Sequence, residues 1–224
     1  MLAAAASAAT QDVCRALVMS GGGNNGAWEA GAIYGFVNNG NPADFAYDVV
    51  TGVSAGSINT AAFSAWEVGR EVEFAQWLSD IFKNLKTSDI WVDWKFGKVE
   101  GLTLKQGAVD NSPMTAFLTS ILEQFDGFKR RVTLAAVNVN DGTFTEFDQT
   151  NIEFMELANA ATASSSIPGA FPPYNWPGRG LFMDGGTVYN INVEGAVKQC
   201  LELVDDTSKI IMDIFVCNAP EDPV

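Results

Sequence analysis

Two short apolar runs each break at a glycine-rich turn and resume as a helical pattern. This junction, met twice near the N-terminus, constrains the fold more than any other feature. Arg15–Ser20 (RALVMS) runs into Gly21-Gly22-Gly23-Asn24-Asn25-Gly26, and a helix pattern follows over Gly26–Val37. Within that pattern Gly31 and Gly35 are four residues apart, a spacing that suits close packing. Asp48–Thr51 (DVVT) then runs into Gly52-Val53-Ser54-Ala55-Gly56, and a small-residue helix pattern follows over Ala55–Trp66. Short buried strands alternating with longer helices are the signature of βαβ units and a mostly parallel sheet.

The rest of the chain keeps this rhythm. Amphipathic helices are expected over Glu71–Leu85 and Asp110–Phe125, the second with Asn111/Ser112 as N-cap candidates and Pro113 in its first turn. Arg131–Val139 reads as a strand, and Thr143–Phe147 as another after the Asp141-Gly142 turn signal. Asn151–Ala161 is helical, Leu181–Met183 a short strand, Val193–Leu203 a helix and Lys209–Val216 a last strand. With 224 residues and no linker-like shift, one domain over 15–224 is expected. The chain stops soon after a core strand, which leaves room for truncation at the C-terminus.

Composition removes whole classes of chemistry. There is no histidine, so a Ser-His-Asp triad, a Cys-His pair, an HExxH zinc site and a proximal-His haem cannot come from these residues. Thirteen basic residues against 27 acidic ones give a net charge of −14, which repels nucleic acid and disfavours an anionic bilayer, but not a zwitterionic or neutral lipid surface. The three cysteines, Cys14, Cys200 and Cys217, form no CxxC pair and too small a set for a disulfide framework. Cys200 and Cys217, in apolar stretches, read as buried small hydrophobes, whereas Cys14 is left open to pairing. At the N-terminus Ala6-Ser7-Ala8 resembles a signal-peptidase site, but no basic segment precedes it. Residues 1–14 are therefore read as a signal-peptide remnant, pointing to a secreted or lumenal protein, or as a floppy tail, leaving a cytoplasmic one. No apolar run is long enough for a transmembrane helix, so a soluble chain is expected.

Three short motifs can carry chemistry. In the loop at Gly21–Gly26, glycines let backbone N–H groups at a helix N-terminus face an anion, or an oxyanion present only in a transition state. Gly21-x-Gly23-x-x-Gly26 also matches a dinucleotide fingerprint, though no Gly-Lys-Ser/Thr makes it a Walker loop. Gly52-x-Ser54-x-Gly56 is a nucleophile elbow in its expected strand-to-helix setting. A serine hydroxyl needs a base. With histidine absent, the base is a carboxylate, a lysine or a water. Asp184 stands out among the carboxylates because it ends the apolar run Leu181-Phe182-Met183 and runs into Gly185-Gly186. Carboxyl ends of strands are where open α/β sheets place their sites.

The order GGGxxG, GxSxG, DGG resembles that of the patatin-like phospholipases, from about Arg15 to the chain's end, and Ala161–Pro173 is similar to that family's small-residue stretch before the Asp strand. The resemblance implies a three-layer α/β/α fold with a mainly parallel central sheet. It implies a lipid acyl hydrolase, of phospholipase A or esterase type, in which Ser54 is the nucleophile and Asp184 the base. The amides of Gly22, Gly23 and Asn24 would form the oxyanion hole, with no metal or organic cofactor. Asn25 departs from the pattern: the family usually carries Arg or Lys there, and losing the cation would weaken anion binding or favour less anionic lipids. Two other classes compete. A Rossmann-like nucleotide binder would carry an acidic residue ending its second strand, but Asp44 and Asp48 precede it. A catalytically inactive lipid-binding domain is opposed by the intact Ser54 and Asp184. A transacylase would share every residue named.

Two aromatic clusters, Ile90–Phe96 and Phe171–Pro177, suit an acyl-chain groove, a lipid interface or plain packing, the second bordering the site. Ser164, Ser165 and Ser166 read as turn and cap residues.

Overall fold

The computed structural model describes residues 11–217. The Ala-rich stretch read as a tail or signal remnant lies mostly in residues 1–10, outside the described residues.

In chain order the elements are β1 (Cys14–Met19), α1 (Gly26–Asn39), β2 (Val49–Val53), α2 (Ala55–Phe63), α3 (Glu71–Asn84), α4 (Thr87–Ile90), α5 (Gly97–Glu100), α6 (Ser112–Leu122), β3 (Arg131–Asn138), β4 (Phe144–Asp148), α7 (Leu157–Ser164), β5 (Tyr174–Trp176), β6 (Gly180–Asp184), α8 (Val193–Leu201) and β7 (Ile210–Phe215). One seven-stranded sheet runs in the order β5-β6-β3-β2-β1-β7, with β4 also paired to β3. Strands β7, β1, β2 and β3, from one edge of the sheet to its middle, are parallel. β4 and β6 meet β3 antiparallel, and β5 meets β6 antiparallel. The fold is thus mixed α/β around a parallel centre.

Period-two alternation along β1 separates two cores, because successive side chains leave a strand on opposite faces. Leu17 and Met19 pack with residues of α1, α2, α3, α6 and α7. Cys14, Ala16 and Val18 pack with Ala196 and Cys200 of α8. Helices therefore cover both sheet faces in three layers, a single one on the second face. Among the described residues no helix is long and apolar enough to cross a membrane.

Two expectations are corrected here. Cys200 is not a lone buried hydrophobe: it forms a disulfide with Cys14, joining the start of β1 to the end of α8. Both sit in the same small core, where α8 packs directly on the strand. Gly31 and Gly35 do not mediate close packing. A Cβ at either would meet nothing within 4 Å. α1 instead buries Glu29, Ala30, Ile33 and Val37, a different stripe of the helix.

Candidate active site

Register brings the elbow and the acidic strand end together. Val53, the last residue of β2, is opposite Ala135 of β3. Asp184, the last residue of β6, is opposite Ala136, the next residue along the same strand. Ser54 follows Val53, so the two side chains meet at one point of β3 although 130 residues separate them. Ser54 Oγ donates to Asp184 Oδ2 at 2.6 Å, and both residues are buried.

The elbow is strained and braced. Ser54 has φ +52°, one of two non-glycine residues with positive φ among those described. Such a backbone costs energy and persists only where its surroundings hold it. Its N–H donates to Ser164 Oγ at 2.8 Å. Its carbonyl accepts from Ser57 Oγ at 2.6 Å and Ser165 Oγ at 3.0 Å. Ser164 Oγ in turn donates to the Ala135 carbonyl. The turn has no room for larger residues: a Cβ on Gly52 would fall 2.2 Å from the Gly56 carbonyl oxygen, and one on Gly56 2.5 Å from that of Met19. Ser164 and Ser165, expected as turn and cap residues, are therefore positioning groups for the elbow. Only the small-residue character of the stretch signalled them.

Asp184 is held as firmly. Its Oδ1 accepts from the Gly186 N–H at 2.7 Å, and its own N–H donates to the Ser166 carbonyl. Gly185 lies against Ala135 and Val53. Burial raises the Asp184 carboxyl above its ordinary value, while hydrogen bonds from Ser54 and the Gly186 amide pull it down; burial wins.

The glycine loop lies beside Ser54. A Cβ on Gly21 would fall 3.0 Å from the Ser54 Cβ, and Gly26 packs on Ala55. The Gly21 N–H is engaged with the Asn190 carbonyl and that of Asn25 with Gly22. Among the described residues, the N–H groups of Gly22, Gly23 and Asn24 have no acceptor. Gly23 and Asn24 share a cavity wall with Ser54; Asn25 does not, and its side-chain amide donates to the Cys217 carbonyl at 3.0 Å.

Behind the loop is a buried network that sequence reasoning missed. Asn59 Nδ2 donates to Glu29 Oε2 at 2.9 Å and to the Gly26 carbonyl at 3.0 Å, and Cys217 Sγ donates to Glu29 Oε1. Burial pushes the Glu29 carboxyl up to about 7, against the lowering effect of those two donors. Burial and the facing Glu29 carboxylate push the Cys217 thiol up to about 12, which removes it as a nucleophile.

The cavity holds about 500 Å³ and has Ser54 on its wall. Trp77, Ile81 and Phe82 of α3 and Met114, Phe117 and Ile121 of α6 line it, and among the described residues Lys86 is the one charged residue on its wall. Its size falls within the roughly 300–1,000 Å³ of small-molecule sites. The aromatic clusters divide. Trp91 and Phe171 line the cavity. Trp176 is buried against Phe147 and Phe182, and Phe96 points to solvent. Among the described residues no cluster of His, Cys, Asp and Glu could hold a metal ion.

No curated protein matches the sequence. Among solved structures the chain is similar to VipD from Legionella pneumophila, at 12% identity and a TM-score of 0.45, over 91% of this chain and 50% of that one. The chain thus spans half the length of VipD. The model of the patatin-like phospholipase family matches residues 17–197, a span that takes in the glycine loop, the Ser54 elbow and the β6 end with Asp184, and the chain belongs to that family.

Proposed function

We propose that this chain hydrolyses acyl esters of lipids with Ser54 as nucleophile and Asp184 as its base, within one catalytic domain over residues 15–224. The observation that carries the reading is the 2.6 Å hydrogen bond from Ser54 Oγ to Asp184 Oδ2, at the head of an apolar cavity in a chain without histidine.

Ser54 Oγ attacks the ester carbonyl carbon as its proton passes to Asp184 Oδ2. The carbonyl oxygen becomes an oxyanion facing the N–H groups of Gly22, Gly23 and Asn24, with the N-terminus of α1 behind them. The intermediate collapses, the alcohol leaves with the proton from Asp184, and the acyl group stays on Ser54. Water then gives a proton to Asp184 and attacks the acyl carbon. The second intermediate releases the fatty acid as Ser54 recovers its proton. The raised Asp184 pKa helps, since a stronger base takes the serine proton more readily. The cavity accepts the acyl chain, each buried methylene contributing about 0.8 kcal/mol. One oxyanion donor of this kind is worth about 10²–10³ in rate.

The test is labelling with an alkyl phosphonate ester followed by peptide mass spectrometry. The adduct is expected on Ser54 alone, and Ser54→Ala should lose both label and ester hydrolysis while melting as the wild type does. An adduct on another residue, or hydrolysis surviving in Ser54→Ala, refutes the assignment.

A further inference from the structure

The large apolar side chains most exposed to solvent are gathered in one short segment beside the cavity. Phe96, Val99, Leu102 and Leu104 are 74%, 76%, 60% and 76% exposed, and Val99, Leu104 and Phe96 exceed every other large apolar residue among those described. They lie on α5, on the residue before it and on the π-helical turn Gly101–Lys105 that continues it. Burying these side chains in the protein would have been favourable, so four of them facing water together call for an external apolar partner.

The segment is built to hold this shape. Val92 and Asp110 close its neck as a backbone bridge. Trp94 Nε1 donates to the Gly107 carbonyl at 2.9 Å, and Gly101 packs on the Trp94 ring. Gly107 in turn lies against Phe171 and Pro172. The neck is also the cavity's edge, for Ile90, Trp91 and Phe171 are on its wall. Whatever the apolar tip enters is thus brought next to the cavity wall.

Charge identifies the partner. Residues 95–105 carry Lys95, Lys98 and Lys105 against the single acid Glu100, in a chain of net −14. Among the described residues none of these lysines forms an ion pair. Lys95 and Lys105 lie instead over the Phe96 and Trp94 rings. Glu100, half-buried, accepts from the Phe96 N–H at 2.9 Å. An apolar tip carrying three lysines without an ion-pair partner among the described residues matches the boundary between acyl chains and anionic headgroups.

We infer that residues 95–105 dock the protein onto a lipid bilayer containing anionic headgroups, Phe96, Val99, Leu102 and Leu104 entering the acyl region and Lys95, Lys98 and Lys105 meeting the headgroups. For one face this proposal departs from the expectation drawn from net charge alone. It rests on the lipid-hydrolase reading only for what is delivered to Ser54.

Sedimentation with vesicles of ether-linked phosphatidylcholine, with and without ether-linked phosphatidylglycerol, tests it without turnover. The wild type should bind both and favour the anionic mixture. Phe96→Ser/Val99→Ser/Leu104→Ser should bind both at least about tenfold more weakly. Lys95→Gln/Lys98→Gln/Lys105→Gln should lose the preference for the mixture. Both variants should keep the wild-type melting curve and the wild-type rate on a water-soluble short-chain ester. A wild type that binds neither vesicle, an apolar variant that binds as the wild type does, or an apolar variant whose only change is loss of self-association would overturn the inference. If the soluble ester is not hydrolysed while vesicle binding behaves as stated, the catalytic reading fails and this one stands.

Discussion

Ser164→Ala is the sharpest probe of how the elbow is held, because the hydroxyl joins two buried backbone groups. It accepts from the Ser54 N–H at 2.8 Å and donates to the Ala135 carbonyl. Removing it orphans a buried N–H, which costs roughly 1–3 kcal/mol, and takes one donor from a buried carbonyl, roughly 1 kcal/mol more. The expected loss of stability is about 2–4 kcal/mol. The elbow keeps its other two braces, from Ser57 and Ser165 to the Ser54 carbonyl. Ser54 therefore stays near its place but relaxes from its strained φ of +52°. A displacement of order 1 Å at a nucleophile costs about 10²-fold, so a fall in kcat of about 10–100-fold is expected. KM should barely move, since Ser164 is not on the cavity wall. Urea denaturation and steady-state kinetics on a soluble short-chain ester measure the two effects separately. Stability within about 0.5 kcal/mol of wild type together with unchanged kcat would refute the bracing role. A loss of stability with kcat intact would make the bond structural only.

Asp184→Asn should abolish ester hydrolysis while preserving shape, since an amide cannot take the serine proton; activity as in the wild type would rule out Asp184 as the base. Because burial raises the Asp184 carboxyl, the acidic limb of kcat/KM should lie above the ordinary aspartate value of ~3.9, and a limb below that value contradicts the assignment. Glu29 has a folded-state pKa near 7 against an ordinary 4.5, so its contribution to stability is full below 4.5 and is lost as pH rises through 7. Glu29→Gln should gain on the wild type by about 3 kcal/mol across that window, and a constant difference in denaturation midpoint would refute it. The Cys14–Cys200 bridge spans 186 residues, so removing it as Cys14→Ser/Cys200→Ser should cost up to about 5 kcal/mol. Reductant should lower the wild-type melting temperature and leave the double variant unmoved; the opposite pattern sinks the bridge.

What could be read from the sequence followed the range of the interactions involved. The elbow and the glycine loop were legible because a strand, a tight turn and a helix N-terminus are set by adjacent residues, and the backbone at Gly52 and Gly56 has no room for a Cβ. The parallel centre followed from the alternation of apolar runs with helices, but the antiparallel pairing of β6 with β3 did not, since a five-residue strand carries no mark of its partner's direction. The Cys14–Cys200 bridge was missed because it depends on where α8 crosses the sheet. Gly31 and Gly35 misled because a four-residue spacing defines a helix stripe without saying which stripe is buried, and here the stripe through Ile33 and Val37 wins. The serines at the end of α7 looked like turn residues because their partners, Ser54 and Ala135, lie far off in the chain. Asp184 is the informative exception. It is 130 residues from Ser54, farther along the chain than Ser164 is, yet it was legible, because the lack of histidine narrowed the choice of base to a few residue types. Among the carboxylates only this one ended an apolar strand in two glycines. Chemistry can thus point to a long-range pair where propensity cannot, because a nucleophile constrains the identity of its partner and packing constrains little more than its size.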